Sequence, residues 1–372
     1  MNDSAHAALT PFRLGELDLA GRFAVAPMTR VSASPDGVPT VEMADYYAEF
    51  AEGAFPLVIT EGTYTDTAHS QGYLNQPGLV TAEHVDGWRL VTRRVHAAGG
   101  RIVAQLMHAG ALSQGSAHSA VRVAPSAVAP KGEMMPEYGG SGPWPVPREM
   151  SVADIERVRA GFVTAARNAH AAGFDGVEVH AANGYLLDQF LTDYTNLRED
   201  GYGGTVTNRV RLAAEVVADI HEAVPDFLVG IRFSQTKVND FTHRWPGGAR
   251  DAEAIFDAVG AAGAGYVHVA SEGRDWIETA RLSGGDTITA LARRRTGLPV
   301  IANGAMHDPG QAADVIEGGH ADLLAVGRAA LANPDLPRRV AKDLALEPFD
   351  AGMLKPMATL SVARRWREGV RG

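Results

Sequence analysis

Three polar side chains of catalytic type fall within six residues in the stretch FDGVEVHAANGYLLDQFLTDYTNLREDGYGGTVTNR, Phe174 to Arg209. The apolar run Gly176–Ala181 leads into His180, Asn183 and Tyr185, which bring an imidazole, a carboxamide and a phenol. The first two can donate hydrogen bonds to a carbonyl oxygen as negative charge builds on it. A phenol of pKa about 10 can then protonate a carbanion-like carbon. The same three groups could equally satisfy the backbone of a loop. Their meaning therefore depends on where the rest of the chain places them.

Short apolar runs recur at Arg22–Thr29, Leu57–Thr63, Arg101–His108, Gly176–Ala181, Leu228–Ser234, Tyr266–Ser271, Pro299–Gly304 and Leu323–Arg328. Segments of helical spacing lie between them. Ser151 and Asp154 make a capping box for one helix, and its apolar positions Ile155, Val158, Phe162, Ala165 and Ala166 share a face. Asp308-Pro309 opens another, as cap and first-turn proline. Eight strands alternating with helices make this an α/β chain, and the count predicts a single (β/α)8 TIM barrel. A doubly wound sheet is disfavoured, because no strand is followed by G-x-G-x-x-G opening a helix. Gly260, Gly263 and Gly265 precede a strand and read as a helix end and αβ turn. We expect one barrel domain over residues 1–372, with an N-terminal segment and hairpin (1–21) and a C-terminal tail (345–372). The strand-to-helix loops are long; Ala109–Met150, rich in Gly, Ser and Pro, is expected to cross the barrel mouth.

The expected strand ends carry Pro27-Met28-Thr29, Glu61-Gly62, Gln105, His180, Arg232 with Ser234, Ser271, Asn303-Gly304 and Gly327-Arg328. All would sit on the rim where barrel enzymes build active sites. The last two pairs follow strands seven and eight, where barrels commonly bind phosphate through backbone N–H groups. Arg328 adds a guanidinium suited to phosphate oxygens. Arg232 has two open readings: a core ion pair with Glu178 or Glu61, or a cation beneath a cofactor that becomes anionic. Gln105 and Thr29 offer uncharged donors and acceptors for a heterocycle edge.

The formal charge of −10 and a pI near 5.7 argue against nucleic acid or an anionic membrane as partner. The basic tail residues Arg364, Arg365, Arg367 and Arg371 read as a solvated or packing tail. There is no cysteine, which excludes disulfides, thiolate nucleophiles, Cys-ligated zinc and iron–sulfur clusters. Residues 1–12 lack the features of a secretory signal, and no uncharged apolar run is long enough to span a bilayer. A cytoplasmic protein, monomer or homodimer, is the expectation.

From Phe12 to Val340 the chain resembles the old yellow enzymes, FMN-dependent NAD(P)H oxidoreductases, and sits nearer their classical branch. The block FDGVEVHAANGYLLDQFL with NLREDGYGGTVTNR carries most of the likeness, backed by AVAPMTR, ITEGT, QGYLNQPG, VAQLMHAG, GIRFS and VGRAALANPDL in order. The resemblance implies tight, non-covalent FMN with NAD(P)H as reductant. It implies that Pro27, Met28 and Thr29 line the flavin, and that Gly62 and Gln105 meet its polar edge. Arg232 would lie near N1 and O2, and Asn303, Gly304, Gly327 and Arg328 would grip the phosphate. His180 and Asn183 would hold an oxygen of an activated alkene such as an unsaturated carbonyl or nitroalkene. In the implied ping-pong cycle, hydride passes from flavin N5 to the β-carbon and Tyr185 protonates the α-carbon.

Met107 stands where classical members often carry an aromatic, which predicts a wider pocket. Phe349 is a candidate aromatic wall from the C-terminal loop, and Tyr73, Trp144 and Trp276 either close the site from long loops or serve core or lid packing. Two alternatives remain: a flavin-dependent isomerase or cyclase on the same barrel, and a non-flavin hydrolase or lyase. The last would need Glu178 with Glu61, or Lys237, as its reacting groups.

Overall fold

The computed structural model describes residues 6–271, 275–282 and 285–371, the side chains of 370 and 371 excepted. Eight parallel strands form the barrel: β1 (Phe23–Val25), β2 (Leu57–Ile59), β3 (Arg101–Met107), β4 (Gly176–Asn183), β5 (Leu228–Lys237), β6 (Tyr266–Ala270), β7 (Val300–Asn303) and β8 (Leu323–Val326). Each pairs with the next, and β8 closes on β1 through Leu324 opposite Phe23 and Val326 opposite Val25. Closure rules out the doubly wound sheet. It also explains the near-continuous apolar runs: strands covered on both faces have no polar side to show. All eight residues of β4 are buried.

Eight helices surround the strands: α1 (Val41–Glu52), α2 (Ala82–Ala97), α3 (Val152–Ala171), α4 (Arg211–Ala223), α5 (Ala249–Ala261), α6 (Ile288–Thr296), α7 (Pro309–Glu317) and α8 (Leu360–Arg371). The predicted caps are in place. Ser151 Oγ accepts the Asp154 N–H while the Asp154 carboxylate accepts that of Ser151. Asp308 caps α7 with Pro309 in its first turn. The Gly263–Gly265 stretch is the turn from α5 into β6. The basic tail packs as α8 on α1, where Arg367 reaches both oxygens of Glu49 at 3.0 and 3.1 Å.

The hairpin pairs Phe12–Leu14 with Leu17–Leu19 across Gly15, whose φ of 58° suits glycine. Its Leu14 and Leu19 plug the bottom of the barrel with Leu57, Val103, Ile301 and Leu323. At the other end the strands differ in length from the sequence expectation. β1 stops at Val25, because the Ala26 N–H makes the last ladder bond to Val326 and Pro27 has none to give. Thr60, Glu61 and Gly62 leave β2, and the chain rejoins β3 only at Thr63–Tyr64. β4 and β5 run longer, to Asn183 and Lys237, across a register shift between Phe233 and Lys237. That bulge turns the two strand ends over the mouth.

Candidate active site

Residues of one parity point into a barrel. Two residues above the apolar plug, this parity becomes polar. Glu178 is fully buried and accepts from Gln105 Nε2 at 2.8 Å and from the Tyr266 hydroxyl at 3.0 Å, with His268 Nδ1 at 2.9 Å. Gly230 makes room for this group, since a Cβ there would lie 2.0 Å from the Tyr266 ring. Burial alone would raise the Glu178 pKa, but His268 and Arg232 outweigh it and hold the carboxyl below its ordinary value. Arg232 lies opposite both His180 and His268 in the ladder and donates to Asn303 Oδ1 at 3.4 Å. Of the two carboxylates proposed for Arg232, Glu178 is the electrostatic neighbour. Glu61 is engaged elsewhere, accepting the backbone N–H groups of Arg30 and Val31 at 2.8 and 3.2 Å.

His180 lies level with Arg232 and two residues beyond Glu178, and Asn183 and Tyr185 follow it at the end of β4. The Ala182 N–H donates to His180 Nδ1 at 3.3 Å, which leaves the ring proton on Nε2 as a donor. Burial, then the nearby Arg232, push the His180 pKa well below 6.5, so the ring is neutral. Asn183 has φ of 62° and is held by its N–H to Ser234 Oγ at 2.8 Å. Tyr185 heads a short helix, Leu186–Leu191, with its ring 4.9 Å from that of His180 in an edge contact. Its hydroxyl hydrogen-bonds that of Tyr73. Around them Val31, Tyr73, Met107, Leu112, Trp144 and Tyr185 form one apolar cluster, with Met134, Met135, Tyr138 and Met357 against it.

The other expected rim residues occupy the remaining strand ends. Pro27, Met28 and Thr29 follow β1 and are half-buried. Gly62 gives its carbonyl to Gln76 Nε2 at 2.6 Å, and a Cβ on it would come within 2.6 Å of Met107 Sδ. Asn303 Nδ2 donates to Ala325 O at 2.9 Å, tying β7 to β8. Gly304 has φ of 124°, and a Cβ there would meet Trp276 N at 2.7 Å. Gly327 heads the helix Arg328–Ala332, which has no side-chain cap, and Arg328 lies over the Phe349 ring at 6.0 Å.

Two expectations change, at Phe349 and Met107, and two open alternatives are decided, at Trp276 and Lys237. Phe349 faces Arg328, and the C-terminal segment reaches the cluster through Met357 instead. Trp276 takes the core alternative and packs against His320. Met107 lies in one buried cluster with Trp144, so an aromatic of the long loop joins the wall where a wider pocket was expected. Lys237 is no free amine, since its Nζ lies 2.8 Å from both oxygens of Asp188. Sequence reasoning missed Tyr266 and His268, although their alternation on β6 was a readable signal. It also missed Asp188, which nothing local distinguishes from a helix-surface acid.

The closed barrel thus carries an uncharged wall after β1, a cation inside β5 and Gly-bearing ends on β7 and β8. Residues 8–347 match the NADH:flavin oxidoreductase / NADH oxidase family, and the chain belongs to it. It is 37% identical over 361 residues to the chanoclavine-I aldehyde reductase of Penicillium roqueforti, covering 92% of this chain and 90% of that one. It is 37% identical over 346 residues to a probable flavin mononucleotide-dependent alkene reductase of Leishmania infantum, covering 90% of each. Its structure matches the old yellow enzyme homologue of Zymomonas mobilis with a TM-score of 0.83 and 31% identity, covering 92% of this chain and 94% of that one. The chain is an NAD(P)H-dependent, flavin-dependent oxidoreductase of the old yellow enzyme type.

Proposed function

We propose that residues 1–372 form one FMN-binding unit that reduces the C=C bond of activated alkenes in a ping-pong cycle, with Tyr185 as proton donor. The observation that carries this reading is a neutral His180 in edge contact with Tyr185 at the end of β4, level with Arg232 in the strand register.

The donor set fits FMN. Gln105 gives Nε2 to Glu178, which turns its carbonyl oxygen the other way as an acceptor for a ring N–H. Arg232 supplies positive charge where a reduced ring becomes anionic. Thr29, Met28 and Pro27 offer an uncharged, half-buried wall. Asn303, Gly304, Gly327 and Arg328 present amides and a guanidinium to a phosphate. When bound, FMN takes a hydride from NAD(P)H and passes it to the alkene's β-carbon.

The chain's own part is orientation and proton transfer. His180 Nε2–H and the Asn183 carboxamide hold the carbonyl or nitro oxygen, a stabilisation typically worth about 3 kcal/mol per donor as charge builds there. Tyr185 gives its proton to the α-carbon. The apolar walls of Val31, Met107, Leu112 and Trp144 exclude water and suit a hydrocarbon body. The test is anaerobic: FMN-loaded protein should be bleached by NADH or NADPH and regain its colour with enones or nitroalkenes. Protein that takes up no FMN, or that no alkene reoxidises, would overturn the reading.

A further inference from the structure

Behind the turn that carries Asn183 and Tyr185 lies a buried ion pair that none of the chemistry above uses. The side chains of Lys237 and Asp188 are 2% and 0% exposed. An ion pair this deep is sustained only when its remaining donors and acceptors are also satisfied. Here the Gly184 N–H donates to Asp188 Oδ2 at 2.6 Å, and Thr192 Oγ1 lies 3.4 Å from Oδ1.

The location follows from the strand ends. The bulge in β5 brings Lys237 opposite Asn183, while Asp188 sits in the first turn of the helix after Tyr185. Between them the backbone does something costly: Asn183 and Gly184 are both left-handed, with φ of 62° and 88°. Consecutive left-handed residues, one of them not glycine, persist only where their surroundings over-determine them. Three bonds do so. Ser234 Oγ takes the Asn183 N–H, Val238 N–H reaches the Asn183 carbonyl at 3.2 Å, and Asp188 takes the Gly184 N–H. A Cβ on Gly184 would lie 2.6 Å from Asn239 Oδ1, so the turn has no room to relax on that side.

Resting on the roles proposed for Asn183 and Tyr185, we infer that Asp188, aimed by Lys237, is a positioning residue for the alkene-reducing site. Its carboxylate locks the Gly184 amide, and with it the angle between the oxygen-holding carboxamide and the proton-giving phenol. The ammonium is needed because a carboxylate offers only acceptors. An asparagine in its place can present its Oδ1 to the Gly184 N–H, whereas a leucine has no acceptor to present.

Two double variants isolate the carboxylate's contact without leaving a buried charge behind. Asp188→Asn with Lys237→Met keeps an acceptor for Gly184; Asp188→Leu with Lys237→Met removes it. Both are compared as FMN-loaded proteins at matched flavin content. The Leu/Met variant should bind 4-hydroxybenzaldehyde about tenfold more weakly than the Asn/Met variant, the worth of one buried hydrogen bond. It should also be reoxidised about tenfold more slowly by an enone, and exchange the amides of 182–187 faster. Equal affinity, reoxidation and exchange in the two variants would overturn the inference. Tyr185→Phe, run alongside, separates the two claims. If that variant is reoxidised normally, the proton-donor reading fails, while phenol affinity and exchange still decide what Asp188 positions.

Discussion

The hydroxyls of Tyr73 and Tyr185 hydrogen-bond to each other inside the apolar cluster over the barrel mouth. Tyr73 is fully buried in a tight loop. Gly72 N–H donates to Gln76 Oε1 at 2.7 Å, and Gln76 Nε2 to the Gly62 carbonyl at 2.6 Å. The loop therefore spans from the β2 end to Tyr185 as one piece. In the proposed cycle, where Tyr185 gives its proton to carbon, Tyr73 would donate to the phenolate left behind. A hydrogen bond to a charged partner is worth about 1.5–3 kcal/mol, or roughly ten- to a hundredfold in rate. Tyr73→Phe should slow reoxidation by an enone by that factor and leave FMN uptake and reduction by NAD(P)H unchanged. Equal losses in both half-reactions, measured by stopped flow, would mean that Tyr73 only shapes the pocket.

Tyr185→Phe and the oxygen-holding pair should separate by the quantity they change. Tyr185→Phe removes the proposed proton donor and its bond to Tyr73 but neither oxygen-holding group, so alkene reduction should fall at least a hundredfold, the usual scale of general acid catalysis, with phenol affinity nearly intact. His180→Ala or Asn183→Ala removes a donor to the bound oxygen, so affinity for phenolates that mimic the enolate should drop about tenfold or more. Flavin titrations with a phenol, beside half-reaction kinetics, read both. The pair would lose its role if phenol affinity survived both alanine variants.

The barrel was legible because both faces of every strand are covered, which leaves eight apolar runs that need no tertiary information to find. The strand ends that carry His180, Arg232, Asn303 and Gly327 followed directly from that count. What was not legible depends on pairs distant in sequence. Tyr73 meets Tyr185, Lys237 meets Asp188 and Glu178 meets His268 only after the barrel closes. Strand lengths failed at Pro27, which ends β1 early, and at the β5 bulge, because hydrogen-bond supply and register leave no mark on hydrophobic period. Phe349 was proposed because the resemblance implies an aromatic wall from the C-terminal loop, but the likeness ends near Val340; the cluster uses the flexible Met357 instead.

Arg232 should set the reduction potential of the bound flavin. It is the cation of the layer beneath the mouth, 3% exposed and balanced by Glu178. Arg232→Met removes positive charge from the side where reduction adds negative charge. A loss of about 1.4–3 kcal/mol, the worth of a charged hydrogen bond, corresponds to a potential lower by roughly 30–60 mV for a two-electron couple. Glu178 loses a partner in the same variant, so thermal stability should fall as well. Equilibration against a dye of known potential measures the first effect. An unchanged potential with an unchanged melting point would place Arg232 outside the cofactor's field.

Glu61 makes stability depend on pH in an unusual direction. Burial, which outweighs the nearby Arg30 and its hydrogen bonds, pushes this carboxyl up to about 7 from an ordinary 4.5. A raised carboxyl favours the protonated form in the folded state. Its contribution is therefore complete below pH 4.5, declines as the unfolded chain ionises, and is gone once pH passes about 7. The whole change is on the order of 3 kcal/mol. Glu61→Gln cannot ionise, yet its Oε1 can still accept the Arg30 and Val31 N–H groups that now share Oε2. The variant should match the natural protein near pH 5 and exceed it in melting temperature near pH 8. Melting curves across that window decide the matter, and parallel curves for the two proteins would mean that Glu61 is ionised throughout.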